Sequence, residues 1–214
     1  MSLLRSVLTE QAAYGRAALA AWSSWPSGGS GRAVVLVPGL GAHPHVLVPL
    51  ARALAASGAG PLVPVRYSSL RGGFDAVVEA VQRTVVELDE PVDLVGHSLG
   101  GLAGRVFLKR GGDSRVRRFV SLSAPQQGTS LWRLAPPGLR SAMDPDGAIQ
   151  RELAATAEPV PTLSVGCRHD HQVVPSVSAA IAGGEHHTVE VGHTAVLYDP
   201  HVQRLVVDFL ERRL

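Results

Sequence analysis

The stretch VDLVGHSLGG contains Gly96-His97-Ser98-Leu99-Gly100, where an apolar run gives way to a serine set among glycines. A tight turn needs one glycine or two, so glycines at Gly96, Gly100 and Gly101 ask for a further reason. In the pattern G-x-S-x-G the serine occupies a strained turn between a strand and a helix, with its hydroxyl held above the sheet. Side chains at Gly96 and Gly100 would collide with that strand and helix, and Gly101 lets the helix pack closely. His97 completes this elbow. The start of the helix also aims free N–H groups at whatever is bonded to the serine. A structural corner is the competing reading, but a strand before the motif and a helix after it favour a nucleophile.

A serine hydroxyl attacks a carbonyl only when a base takes its proton, and the base needs an acid to orient it. After a turn of this kind the partners follow in chain order, first Asp or Glu and then His. Nine histidines are available. His43, His45 and His97 precede Ser98, so order counts against them. His169 and His171 flank Asp170, and His186 and His187 open a strand. His193 follows the last strand directly in VEVGHTAVLYDP, with Gly192 freeing the backbone before it. That is a loop at a strand's carboxyl end, where open parallel sheets bind ligands. His193 is therefore the expected base, with His201 as its rival. Asp170 follows the strand in LSVGCRHDHQVVP and is the expected acid. Asp199 reads more simply as the N-cap of the final helix, with Pro200 in its first turn; Glu185 lies in the turn GGEHH.

An acyl-transfer site also needs N–H donors aimed at the developing oxyanion. Leu99, directly after the nucleophile, supplies one. Leu40, between Gly39 and Gly41 in VPGLGAHP, supplies the second. Both glycines also suit an ordinary turn that needs φ > 0, a reading compatible with the functional one.

These residues need a scaffold, and the pattern provides one. AVVLV (Ala33–Val37) is a short continuous apolar run of the kind buried in parallel sheets, and LVPVR (Leu62–Arg66), VDLV, VRRFVSLS (Val116–Ser123), PTLSVG and HHTVEV follow it as further strands. Pro64 marks the second as an edge or bulged strand. His43–Ser57, Phe74–Leu88, Leu99–Arg110 and Pro200–Leu214 read as helices between or after them. From Ala124 to Pro161 prolines break the pattern, and only Ile149–Ala157 looks helical. The expected fold class is α/β, a mostly parallel sheet of about six strands with helices on both faces.

Leu3, Leu4, Val7, Leu8, Gln11, Tyr14, Ala18 and Trp22 fall mostly on one face of an N-terminal helix. Packing on the domain is the favoured reading; a weak membrane-surface contact is the alternative, disfavoured because the polar face lacks clustered basic residues. The linker SSWPSGGSG follows. The expected organisation is a helix and linker over 1–30 and a catalytic domain over 31–214, with 125–160 as a short flap over the site.

Composition excludes several classes. At 214 residues, 45% hydrophobic and 18% charged, the chain suits one globular domain with a sizeable core. The net charge is +2 and the arginines are scattered, so no nucleic-acid partner is expected. Cys167 is the single cysteine, which excludes an intrachain disulfide, and it reads as a small core residue. No apolar run reaches the length of a membrane span, and Glu10, Gln11 and Arg16 interrupt any signal-peptide core, so a cytoplasmic location is expected. No cluster has metal-ligand spacing; neither metal nor cofactor is expected.

With VVLVPGLG, VDLVGHSLGG, LSVGCRHDHQVVP and VEVGHTAVLYDPHV in hand, the chain resembles the α/β-hydrolase lipases and esterases, in particular the small lidless bacterial lipases. The match runs from about Arg32 to the C-terminus, and SAPQQGT resembles a segment that follows the same strand in related lipases. The resemblance implies an α/β-hydrolase fold, Ser98 as nucleophile, Asp170 as acid, His193 as base, and Leu40 and Leu99 as oxyanion donors. Pro38 stands where many members have His, which implies an altered wall beside a working hole. Thr129–Glu158 is longer than in the most compact members, which implies a flap whose Leu131, Trp132, Leu134, Leu139 and Met143 either line an acyl groove or simply pack down. The leading expectation is a carboxylic-ester hydrolase acting on small-molecule or lipid esters through an acyl-enzyme. An acyltransferase or thioesterase with the same triad is the alternative, and a non-catalytic binder of hydrophobic ligands is the third reading.

Overall fold

The computed structural model describes residues 3–20, 23–68, 72–112 and 114–212. Six strands, β1 (Ala33–Val37), β2 (Leu62–Pro64), β3 (Val92–His97), β4 (Val116–Leu122), β5 (Thr162–Cys167) and β6 (Glu185–Val189), form one sheet in the order β2-β1-β3-β4-β5-β6. Every neighbouring pair is parallel. β2 is an edge strand, the position where Pro64 costs no ladder hydrogen bond.

From β1 the chain first steps outward to β2, then returns across β1 to β3 and continues the other way. Right-handed crossovers then put the connecting helices on opposite faces. Strand side chains alternate accordingly. Val34 and Leu36 join Leu50 and Leu54 of α2 (Val48–Ala56) and Val202 and Val206 of α7 (Pro200–Glu211). Ala33, Val35 and Val37 face Val77 and Val81 of α3 (Gly73–Val86) and Leu102 and Val106 of α4 (Leu99–Lys109). The reversal lies between β1 and β3. Their carboxyl ends diverge there into the crevice where ligands bind in open α/β sheets, and Leu40 and Ser98 follow those two strands.

Two regions depart from the sequence expectation. His43–Ser57 is a 3-10 turn, Pro44–Leu47, followed by α2, because Pro44 and Pro49 each start a segment instead of continuing one. Residues 124–161 hold two helices, α5 (Pro137–Met143) and α6 (Ala148–Ala154), where one was expected. α5 begins at a proline in its first turn, the one helical place that tolerates proline. The segment after α6 is held to α4 by buried charges: Glu158 lies 2.8 Å from Arg105 and 3.1 Å from Lys109, and all three side chains are at most 6% exposed.

The N-terminal α1 (Leu3–Ala20) packs on the α2/α7 face through Ala13. Trp22, expected on the same face, lies outside the described residues. Among those residues no helix is long and apolar enough to cross a membrane.

Candidate active site

β3 delivers Ser98 with φ 53° and ψ −125°, a conformation that non-glycine residues rarely adopt. Its surroundings force it. The Ser98 N–H donates to Leu122 O at 2.9 Å, and Ser98 O accepts from Gly101 N–H at 2.9 Å and Leu102 N–H at 3.2 Å. A Cβ on Gly96 would sit 2.6 Å from Gly100 O, and one on Gly100 would sit 2.4 Å from Pro38 O. Strain of this kind costs on the order of 1–3 kcal/mol and persists where neighbours over-determine it.

His193 lies in the loop after β6, with its Nε2 2.9 Å from Ser98 Oγ. Its Nδ1 is 2.9 and 3.0 Å from the two carboxylate oxygens of Asp170. An ionised carboxylate only accepts, so Nδ1 carries the proton and the Nε2 lone pair is left for the serine hydroxyl. Asp170 follows β5, and its Oδ1 also accepts from the N–H groups of Gln172 at 2.8 Å and Val173 at 2.9 Å. Burial pushes this carboxyl up, but the hydrogen bond and charge of His193, with the two backbone donors, hold it below the usual aspartate range. Ser98, Asp170 and His193, expected from three separate motifs, thus form one hydrogen-bonded chain.

The rivals lie elsewhere. Asp199 caps α7, accepting from His201 N–H at 2.8 Å and Val202 N–H at 3.1 Å. Glu185 pairs with His187 and Arg212 at the sheet edge. His201 is exposed on the first turn of α7.

His97 has a part that its place in the motif did not reveal. Its Nε2–H donates to the backbone carbonyl of His193 at 3.0 Å, with the two rings 5.0 Å apart. Burial, with the neighbouring His193 imidazole, pushes its pKa down to about 3, so it holds the His193 backbone as a neutral ring.

Leu40 follows β1 between Gly39 and Gly41, the latter at φ 64°. The Tyr67 hydroxyl fixes this loop by donating to Pro38 O at 2.7 Å and Gly39 O at 2.9 Å. Leu99 opens α4, where an N–H has no intrahelical acceptor.

A family model described as palmitoyl protein thioesterase matches residues 58–158. No curated protein matches the chain. A bromoperoxidase from Bacillus anthracis superposes with a TM-score of 0.69 at 16% identity, over 86% of this chain and 94% of that one. The monoacylglycerol lipase of Paleococcus ferrophilus gives 0.63 at 17%, over 86% and 96%. The thioesterase domain of the curacin biosynthetic pathway gives 0.61 at 18%, over 86% and 93%. The chain has the α/β-hydrolase fold.

In this fold two apolar cavities meet at the serine. The first, of about 390 Å³, runs between α1 and the β1 loop, lined by Tyr14, Ala17, Leu40, Ala42 and Val46. The second, of about 260 Å³, runs under the 125–143 segment, lined by Pro125, Leu131, Leu134, Pro136 and Met143. Leu40, Ser98, Gln172 and His193 line both. Leu131 and Met143 therefore border the space beside Ser98. Trp132 lines neither cavity; it packs against the α3/α4 core, with the Arg133 guanidinium 4.4 Å from its ring centre. Leu139 is buried in that same core. Among the described residues no group of three or more His, Cys, Asp or Glu side chains could hold a metal ion.

The contribution of α1 is what sequence reasoning missed. Tyr14 and Ala17 wall the larger cavity, and Glu10 bonds to the His193 loop. The available signal was Glu10 on the stripe of Ala13, Tyr14 and Ala17, three, four and seven residues on: a carboxylate on the inward face of a helix.

Proposed function

We propose that this α/β-hydrolase is a serine hydrolase that cleaves acyl esters through a covalent acyl-enzyme. The observation that carries the reading is the chain from Ser98 Oγ to His193 Nε2 to Asp170, built on a strained elbow that opens into apolar cavities. Ser98 Oγ attacks the substrate carbonyl carbon while Nε2 takes its proton, giving a tetrahedral oxyanion. The Leu40 and Leu99 N–H groups are assigned to that oxyanion. Asp170 stabilises the imidazolium, which then gives its proton to the leaving alkoxide as the carbonyl–oxygen bond breaks. Water, deprotonated by the same imidazole, attacks the acyl-enzyme and releases the carboxylic acid and free Ser98.

Apolar walls on both sides of Ser98 favour an acyl group of several carbons, the larger cavity taking the chain and the smaller the leaving group. A thioester is the second reading, favoured by the match of residues 58–158 to the palmitoyl thioesterase model; the same steps apply with a thiolate leaving group.

The test is hydrolysis of p-nitrophenyl esters and S-acyl thioesters of rising chain length by the wild type and by Ser98→Ala. Turnover by the wild type alone supports the reading, and the better substrate series divides ester from thioester. Equal inertness of two folded proteins across both series removes it.

A further inference from the structure

Glu10 is 6% exposed, and its carboxylate accepts from the Thr194 N–H at 2.8 and 3.1 Å and from the Ala195 N–H at 2.9 Å. These are the two peptide groups that follow His193. On the other side, a Cβ on Gly192 would lie 2.4 Å from Glu10 Oε2, so the residue before His193 has no side chain where the carboxylate sits. His193 is thereby bracketed by one acidic side chain from a helix more than 180 residues away. One turn on, the Tyr14 hydroxyl accepts from Gln172 Nε2 at 3.2 Å and lies 3.0 Å from His171 Nε2. Gln172 in turn donates its backbone N–H to Asp170. A single helix thus grips both loops that carry the partners of Ser98.

We propose that Glu10 is a positioning residue for His193, and that α1 belongs to the active site instead of merely covering the sheet. The inference rests on the serine-hydrolase reading above. Without the carboxylate, two buried N–H groups lose their acceptor and the 192–195 loop relaxes. The imidazole then leaves the line between Asp170 and Ser98, and a displacement near 1 Å costs about 10²-fold in rate.

The test uses Glu10→Ala, Glu10→Gln and, on the exposed side of the same helix, Gln11→Ala. Rates are normalised to the sites that react with a phosphonate ester, so unfolded protein is not counted. The expected result is a kcat lowered about 10- to 100-fold in Glu10→Ala with KM within about twofold, because ground-state binding does not use His193. Glu10→Gln keeps one carbonyl acceptor and loses less, and Gln11→Ala matches the wild type. The second readout is the downfield proton resonance of the His193–Asp170 hydrogen bond, which needs no turnover. It is expected in the wild type and Ser98→Ala, and lost or broadened in Glu10→Ala. A Glu10→Ala protein with wild-type kcat per reactive site and an unchanged resonance overturns the proposal. If the wild type hydrolyses neither ester nor thioester, the hydrolase reading fails, and the resonance alone decides whether Glu10 positions His193.

Discussion

Gly100 rests on the backbone of Pro38 so closely that a Cβ would lie 2.4 Å from the Pro38 carbonyl oxygen. The last glycine of the serine motif is therefore the surface on which the β1 loop sits, and that loop carries Leu40. Because the obstructing atoms are backbone, a Gly100→Ala variant cannot relieve the clash by turning a side chain. It is expected to lose about 1–3 kcal/mol of stability, and to lose activity in the molecules that remain folded. Thermal unfolding together with ester turnover per folded molecule reads both effects.

Asp170→Asn keeps an oxygen for the Gln172 and Val173 N–H groups but can offer His193 an amide. The expected result is a folded protein with kcat reduced about 10⁴-fold, as when the orienting carboxylate of such a triad is neutralised. The carboxyl is held below its usual range in the fold, so its stabilising share is complete above about pH 4 and fades as pH falls through the folded value. The gap in Tm between the wild type and Asp170→Asn should therefore hold from pH 7 down to about pH 4 and narrow only below it, as the carboxyl takes up its proton. A gap that widens contradicts the assignment.

Ala17 lines the larger cavity, and a phenyl ring there takes up space that the proposed acyl chain needs. Ala17→Phe is expected to shift preference toward short acyl groups while leaving turnover of the acetyl ester within about threefold, since the reacting atoms are untouched. Profiles over acyl length check this. A profile unchanged in Ala17→Phe and shortened in Met143→Phe would exchange the roles of the two cavities.

Glu158 is the shared counter-ion of Arg105 and Lys109, with all three side chains buried. Glu158→Gln leaves two buried cations facing each other. The expected cost is about 3–5 kcal/mol, which for a chain of this size lowers Tm by roughly 6–20 °C. Differential scanning calorimetry at neutral pH measures it.

The sheet was readable because its inner strands β1, β3 and β5 are buried along their whole length and are rich in apolar residues, Ala33–Val37 as an unbroken run. The Ser98, Asp170 and His193 loops were readable because each follows the carboxyl end of a strand. α5 was not, since Pro136-Pro137-Gly138 looks like a break until the proline is seen at a helix's first position. Glu10 was missed for a different reason. A carboxylate in the first helix reads as a solvated charge, and only the return of the chain near Thr194 supplies the donors that make its burial tolerable.

The bond between Glu10 and Thr194 spans 184 residues of chain, which sets a clock on the site. During synthesis Ser98 emerges some 95 residues before His193, and α1 has waited longer still for its partner. Contacts of such separation close late, after the loop entropy between them has been overcome. The proposed nucleophile therefore lacks its His193 partner in every shorter chain, and the pair closes only with β6 and the loop behind it.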